Sequence, residues 1–129
     1  ELDAYLPTAD IVIGALPRTP GTIGLFDDRR MRLMPKDALL VNVGRGTMIV
    51  TKDLEQLLSE GHFSGVVLDV MDPEPLPEDH RLWKIENAYI TPHVAGGHSF
   101  HTTVEKLVEL GVLNLERYLK GEAIVNRVK

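Results

Sequence analysis

The sequence predicts an α/β fold: a parallel β-sheet with helices in its crossovers, closed by one long helix. Three observations carry this reading. Apolar runs of strand length recur about every 25 residues, with helical patterns in two of the three gaps, which is the signature of βαβ units. The runs are near-continuously apolar instead of alternating, as befits strands covered on both faces. An apolar stripe at helical spacing then occupies the last segment of the chain.

The first run is Asp10 to Leu16, β-branched at 11 to 13 and closed by Pro17. The others are Ala38 to Val43, Gly65 to Val70 and Ala88 to Thr91. Between the first two lies a short charged helical stretch, Asp27 to Leu33. Thr51 to Glu60 reads as a helix with Thr51 as N-cap, Asp53 and Glu55 in its first turn and Gly61 as its stop. Residues 71 to 87 carry Pro73, Pro75 and Pro77 among acidic residues, a composition that forbids a regular helix through the prolines and predicts an ordered loop. In the final helix, Val104, Leu107, Val108, Val112, Leu115, Tyr118 and Leu119 form one stripe. Thr102 with Glu105 fits a capping box, Ser99 is an alternative start, and Gly121 is the expected stop.

Composition narrows the function. The 129 residues leave room for one domain. Hydrophobic residues are 43% and aromatics 5%, so the core should rest mainly on Leu, Val, Ile and Ala. A net charge of −5 argues against a nucleic-acid surface. The chain has no cysteine, which removes disulfides, thiolate metal sites and cysteine nucleophiles. No apolar run approaches the roughly 20 residues of a membrane span. The chain starts at Glu1 without Met or signal peptide, so it is expected to be a piece of a longer, cytoplasmic protein.

In a parallel sheet all carboxyl ends lie on one edge, where ligands bind. The second run is followed by Gly44-Arg45-Gly46, the third by Asp69 and Glu74, the fourth by Pro92-His93. Topology alone therefore gathers an anion binder, a carboxylate pair and a proton donor. Arg binds a carboxylate bidentately. His titrates near neutral pH, and a carboxylate beside it fixes the ring and stabilises its charged form. That set suits reduction of a 2-oxo acid, with hydride supplied by a cofactor because no side chain can supply it. Each residue also has a plainer reading: Arg45 as a turn residue, Asp69 as the cap of a nearby backbone turn, Glu74 as a loop charge, His93 as a structural histidine. A metal site at His93, His98 and His101 is disfavoured, since Gly96-Gly97 intervene and no carboxylate stands at ligand spacing. His62 and His80 show no partner in the sequence. The motifs G-x-S-x-G, H-E-x-x-H, the P-loop and G-x-G-x-x-G are absent.

Asn42-Val-Gly-Arg-Gly46, Leu68-Asp-Val-Met-Asp-Pro-Glu-Pro-Leu-Pro77 and Thr91-Pro-His-Val-Ala-Gly96, in this order and spacing, resemble the D-isomer-specific 2-hydroxyacid dehydrogenases. Ala15 to Thr22 is similar to the family's loop after its fourth nucleotide-domain strand, and Asn114 to Gly121 with Asn126 to its C-terminal helix and tail. The resemblance covers essentially the whole chain. It implies a Rossmann-like sheet that is incomplete, lacking the first βαβ half, with residues 1–97 as the second half of a dinucleotide-binding domain and 98–129 as a helix and tail returning towards a substrate domain.

The resemblance assigns Arg45 to the substrate carboxylate and 2-oxo group, His93 to proton transfer at the carbonyl oxygen, and Glu74 to partnering His93. It assigns Asp69 to the nicotinamide carboxamide, and Leu16, Pro17, Thr22, Val43, Gly44 and Gly96 to the lining of the dinucleotide, NAD or NADP. The implied partners are a small 2-oxo or 2-hydroxy acid and a second subunit of a homodimer, with neither nucleic acid nor membrane. The glycine-rich turn that holds the pyrophosphate is not in this sequence, so the chain alone is expected to bind NAD weakly and to turn over little. Its first strand is expected to be an exposed edge that invites association. Some relatives of this fold are NAD(H)-sensing transcriptional corepressors, and a plain α/β interaction module is a third reading.

Overall fold

A computed structural model describes residues 1–96 and 100–127. The chain divides into two units, Glu1–Ala95 and Gly96–Lys129.

The first unit is built on four parallel strands: β1 (Ile11–Gly14), β2 (Leu39–Asn42), β3 (Gly65–Leu68) and β4 (Ala88–Ile90), in the order β1-β2-β3-β4. All four expected strands are present, each trimmed by a residue or more at one or both ends. The α-helices of this unit are α1 (Leu2–Tyr5), α2 (Asp28–Met31) and α3 (Thr51–Ser59). The helix α1 was not expected, since its four residues are too few to show a helical period; Leu6, directly after it, is buried in the core. Asp3 ties the helix down with Arg29 and Arg30, both at 2.8 Å. In α2 the Asp27 side chain accepts from the Arg30 N–H, as a helix cap does.

The strands are not covered on both faces as the apolar runs suggested. Val12, Leu40, Val66 and Ala88 share a register row on the face packed against the core. The neighbouring row, Ile13, Val41, Val67 and Tyr89, points the other way, with Ile13 63% and Tyr89 62% exposed. The sheet grows in one direction, and right-handed crossovers then place their connections on one face. Leu54, Leu57 and Leu58 of α3 meet that face, together with Met31 and Met34. The core is Leu-rich as expected, but methionines and the phenylalanines Phe26 and Phe63 fill more of it than Ile and Val.

Two caps differ from expectation. Thr51 is the first residue of α3, not its cap; its hydroxyl donates to the Asp72 carbonyl at 2.6 Å. Gly61 does end α3, with φ +66°. Residues 71–80 form a loop as expected, followed by a 3₁₀ turn at Arg81–Lys84 that the composition did not announce.

The second unit is α4 (His101–Leu119) and a tail. Thr102 and Glu105 lie inside α4 and form no capping box; Phe100 is the N-cap without a side-chain bond, and Glu105 instead meets His101 Nδ1 at 3.1 Å. Ser99 lies outside the described residues. The Asn114 amide accepts from Val125 N–H at 2.8 Å and donates to its carbonyl at 3.1 Å, which folds the tail back along the helix. Among the described residues no helix is long and apolar enough to cross a membrane.

Candidate active site

The carboxyl ends of the four strands carry the site loops. After β1, the loop 15–24 is tied to itself: Thr22 donates its hydroxyl to the Pro17 carbonyl at 2.7 Å and accepts from Thr19 N–H at 2.8 Å. Pro17 and Thr22 are thereby fixed together. The loop after β2 lies against it. A Cβ at Gly44 would stand 2.8 Å from both the nitrogen and the oxygen of Leu16, so only glycine allows this approach. Leu16 and Val43 leave apolar surface beside that junction.

Arg45 follows Gly44 and is exposed, its Nη1 donating to the Gly44 carbonyl at 2.7 Å. The Asn42 amide, fully buried, grips the turn beneath it. Asn42 was not singled out by sequence; the available signal was a polar residue at the end of an apolar run, directly before a Gly-Arg-Gly turn.

The loops after β3 and β4 are joined through two carboxylates, Glu74 and Asp69. Glu74 Oε1 lies 2.5 Å from His93 Nδ1. Asp69, 2% exposed, accepts from the Thr91 hydroxyl at 2.5 Å and from the N–H groups of Val94 and Ala95 at 2.9 Å each. Burial pushes the Asp69 carboxyl up, but the Thr91, Ala95 and Val94 hydrogen bonds outweigh it and, with His93 nearby, hold it below its ordinary value. His93 itself adopts φ +54°, a left-handed conformation that few non-glycine residues take. Its N–H donates to the Thr91 carbonyl at 3.0 Å, and the Asp69 bonds fix the residues that follow. The His93 backbone is thus over-determined, as strained functional positions are.

Glu74, His93 and Asp69 are brought into one network. Arg45 stands on the adjacent strand-end loop and, among the described residues, bonds to none of them. Gly96 opens the second unit and is exposed. A cleft of about 470 Å³ opens beside the pair, walled by Met71, Leu76, Trp83 and Ile90 with Glu74 and His93 at its polar end. Its volume falls within the roughly 300–1,000 Å³ of small-molecule sites. Trp83, held by its indole N–H to the Pro77 carbonyl at 2.8 Å, was not foreseen.

The remaining histidines have partners that the sequence did not disclose. His62 Nε2 lies 3.2 Å from the Met31 carbonyl, and His80 accepts from Leu82 N–H and lies 3.3 Å from Glu55. Among the described residues no three His, Asp or Glu side chains group as metal ligands. His98 lies outside the described residues.

For a dinucleotide, the fit rests on this chain's own atoms. The glycine junction between Leu16 and Gly44 lets two strand-end loops converge without side-chain obstruction. Asp69 uses three of its roughly four acceptor sites within the protein, which leaves one for an amide donor.

The family described as D-isomer specific 2-hydroxyacid dehydrogenase, NAD binding domain, matches residues 1–95. A glyoxylate reductase of Thermofilum pendens is 39% identical over 98% of this chain, which spans 38% of that relative's length. A D-isomer specific 2-hydroxyacid dehydrogenase of Xanthobacter autotrophicus, solved with NADPH and MES, superposes with a TM-score of 0.87 at 34% identity, covering 99% of this chain and 51% of that one. An NADPH-dependent glyoxylate/hydroxypyruvate reductase of Sinorhizobium meliloti, solved with NADP and sulfate, gives 0.84 at 31% identity, covering 99% and 41%. The Rossmann-like character of the sheet follows from these superpositions, and the chain belongs to the D-isomer specific 2-hydroxyacid dehydrogenase family.

Proposed function

We propose that this chain supplies the proton-handling and substrate-anchoring edge of an NAD(P)-dependent oxidoreductase that interconverts 2-oxo acids and D-2-hydroxy acids. The observation that carries the reading is the Glu74–His93 contact at 2.5 Å, made between loops from neighbouring strands. With Nδ1 engaged by Glu74, Nε2 of His93 is the atom that gives a proton to the carbonyl oxygen during reduction and takes it back during oxidation. Glu74 orients the ring. Arg45, a planar fork without a carboxylate partner among the described residues, holds the substrate carboxylate bidentately and polarises the 2-oxo group. The dinucleotide, when bound, supplies the hydride. Leu16, Pro17, Thr22, Val43, Gly44, Asp69 and Gly96 are the residues of this chain assigned to hold it.

Residues 1–97 then form the second half of the nucleotide domain, and 98–129 lead back towards a substrate domain. The relatives named above as glyoxylate and hydroxypyruvate reductases favour small 2-oxo acids of that class, and the intact protein is read as a homodimer. The test is oxidation of NADH and NADPH by the full-length protein carrying this chain, with glyoxylate, hydroxypyruvate and larger 2-oxo acids. Turnover with at least one of them is expected. Tight dinucleotide binding without turnover on any would overturn the catalytic reading in favour of a nucleotide-sensing corepressor.

A further inference from the structure

We propose that Asn42 is a positioning residue for Arg45, an inference that rests on reading Arg45 as the binder of the substrate carboxylate. Asn42 ends β2 on the core-facing side, in register with Leu68 of β3, and has no exposed surface. An amide placed there loses its hydration, so its polar atoms must be satisfied by protein. Both are satisfied by the next turn: Oδ1 accepts from Gly44 N–H, and Nδ2 donates to the Arg45 carbonyl, each at 3.1 Å.

The two bonds bracket Gly44 and Arg45, fixing the peptide group before Gly44 and the one after Arg45. The main chain of Asn42 is held as well, since its carbonyl accepts from Asp69 N–H at 3.0 Å. On the far side of Arg45, a Cβ at Gly46 would overlap the main chain of Met71, so the turn is wedged against the start of the Glu74 loop. The Thr51 hydroxyl, bonded to the Asp72 carbonyl, closes the same contact. Arg45's own side chain bonds only to the Gly44 carbonyl among the described residues. Its guanidinium is therefore located by the turn, and the turn by Asn42 together with the Met48 N–H, which donates to the same Arg45 carbonyl at 3.1 Å. Displacements near 1 Å in such a group cost about 100-fold in turnover efficiency.

The test uses the full-length protein with Asn42→Ala in the wild-type and Arg45→Ala backgrounds, with steady-state kinetics on a 2-oxo acid and dinucleotide affinity measured by fluorescence. Asn42→Ala is expected to raise KM for the 2-oxo acid about 10- to 100-fold in the wild-type background, to weaken dinucleotide affinity by a smaller factor through Gly44, and to add nothing to that KM in the Arg45→Ala background. If Asn42→Ala does not fold, Asn42→Ser, which can keep the bond from Gly44 N–H, carries the same comparison with a smaller shift. An equal loss in both backgrounds, or an unchanged KM, overturns the positioning role. If Arg45→Ala itself leaves KM unchanged, the assignment of Arg45 has failed instead, so the two failures are distinguishable.

Discussion

Glu74 Oε1 and His93 Nδ1 stand 2.5 Å apart, although 19 residues separate them in the chain. The contact exists because β3 and β4 are parallel neighbours whose carboxyl ends face the same way. It commits one ring nitrogen to a carboxylate, and in the proposed reading the other exchanges a proton. In the full-length protein, Glu74→Gln keeps the size of the side chain and removes its charge. It is expected to lower kcat about 100-fold or more, with KM for the 2-oxo acid changed far less. A kcat within twofold of wild type would remove Glu74 from proton transfer.

Arg45→Lys keeps a positive charge and loses the planar fork. The expected outcome is a rise in KM for the 2-oxo acid of about 10-fold or more, with unchanged dinucleotide affinity. Steady-state kinetics with a 2-oxo acid series check it; equal KM values for the two proteins would contradict bidentate binding.

Asp69 links acid sensitivity to the His93 turn. Burial would raise its carboxyl value, but the Thr91, Ala95 and Val94 donors lower it further than burial lifts it. The folded value then lies below the unfolded one of about 3.9. Its stabilisation is complete above that unfolded value and is lost as pH falls through the lowered folded one. Thermal melts from pH 7 downwards should show the wild type losing more stability below about pH 4 than Asp69→Asn loses. Asp69→Asn should itself be less stable at pH 7 by about 1–3 kcal/mol, since one N–H of the turn loses its acceptor. Parallel pH curves would contradict the linkage.

β1 pairs only with β2 among the described residues, and Ile11 and Ile13 are exposed on it. An apolar edge strand is a template for association. The 129-residue chain on its own is expected to self-associate in light scattering as concentration rises, and Ile13→Lys to reduce this. A monomer at high concentration for the unaltered chain would refute it.

The sheet was legible because each strand declares itself locally, through a short apolar run and a following turn. That Glu74 and His93 share one edge was legible for the same reason, since parallel strands align their carboxyl ends, while their pairing was implied by the family resemblance. What escaped depends on partners distant in sequence. Thr51 looks like a cap, but its hydroxyl is taken by the Asp72 carbonyl, 21 residues on. His62 finds Met31, and His80 lies beside Glu55, across similar gaps. Coverage of the sheet was misjudged because apolar runs record the hydrophobicity of both faces, while right-handed crossovers fill only one. Asn42 was missed because its two bonds are to main-chain atoms, which no residue type announces.

The central claim is that Arg45 binds the 2-oxo acid while His93 moves its proton. The most direct measurement is steady-state oxidation of NAD(P)H by the full-length protein with a 2-oxo acid, comparing wild type, Arg45→Ala and His93→Ala. The account predicts a split: KM rises at least about 10-fold in Arg45→Ala, and kcat falls at least about 100-fold in His93→Ala with KM little moved. Wild-type kinetics in both variants would contradict it.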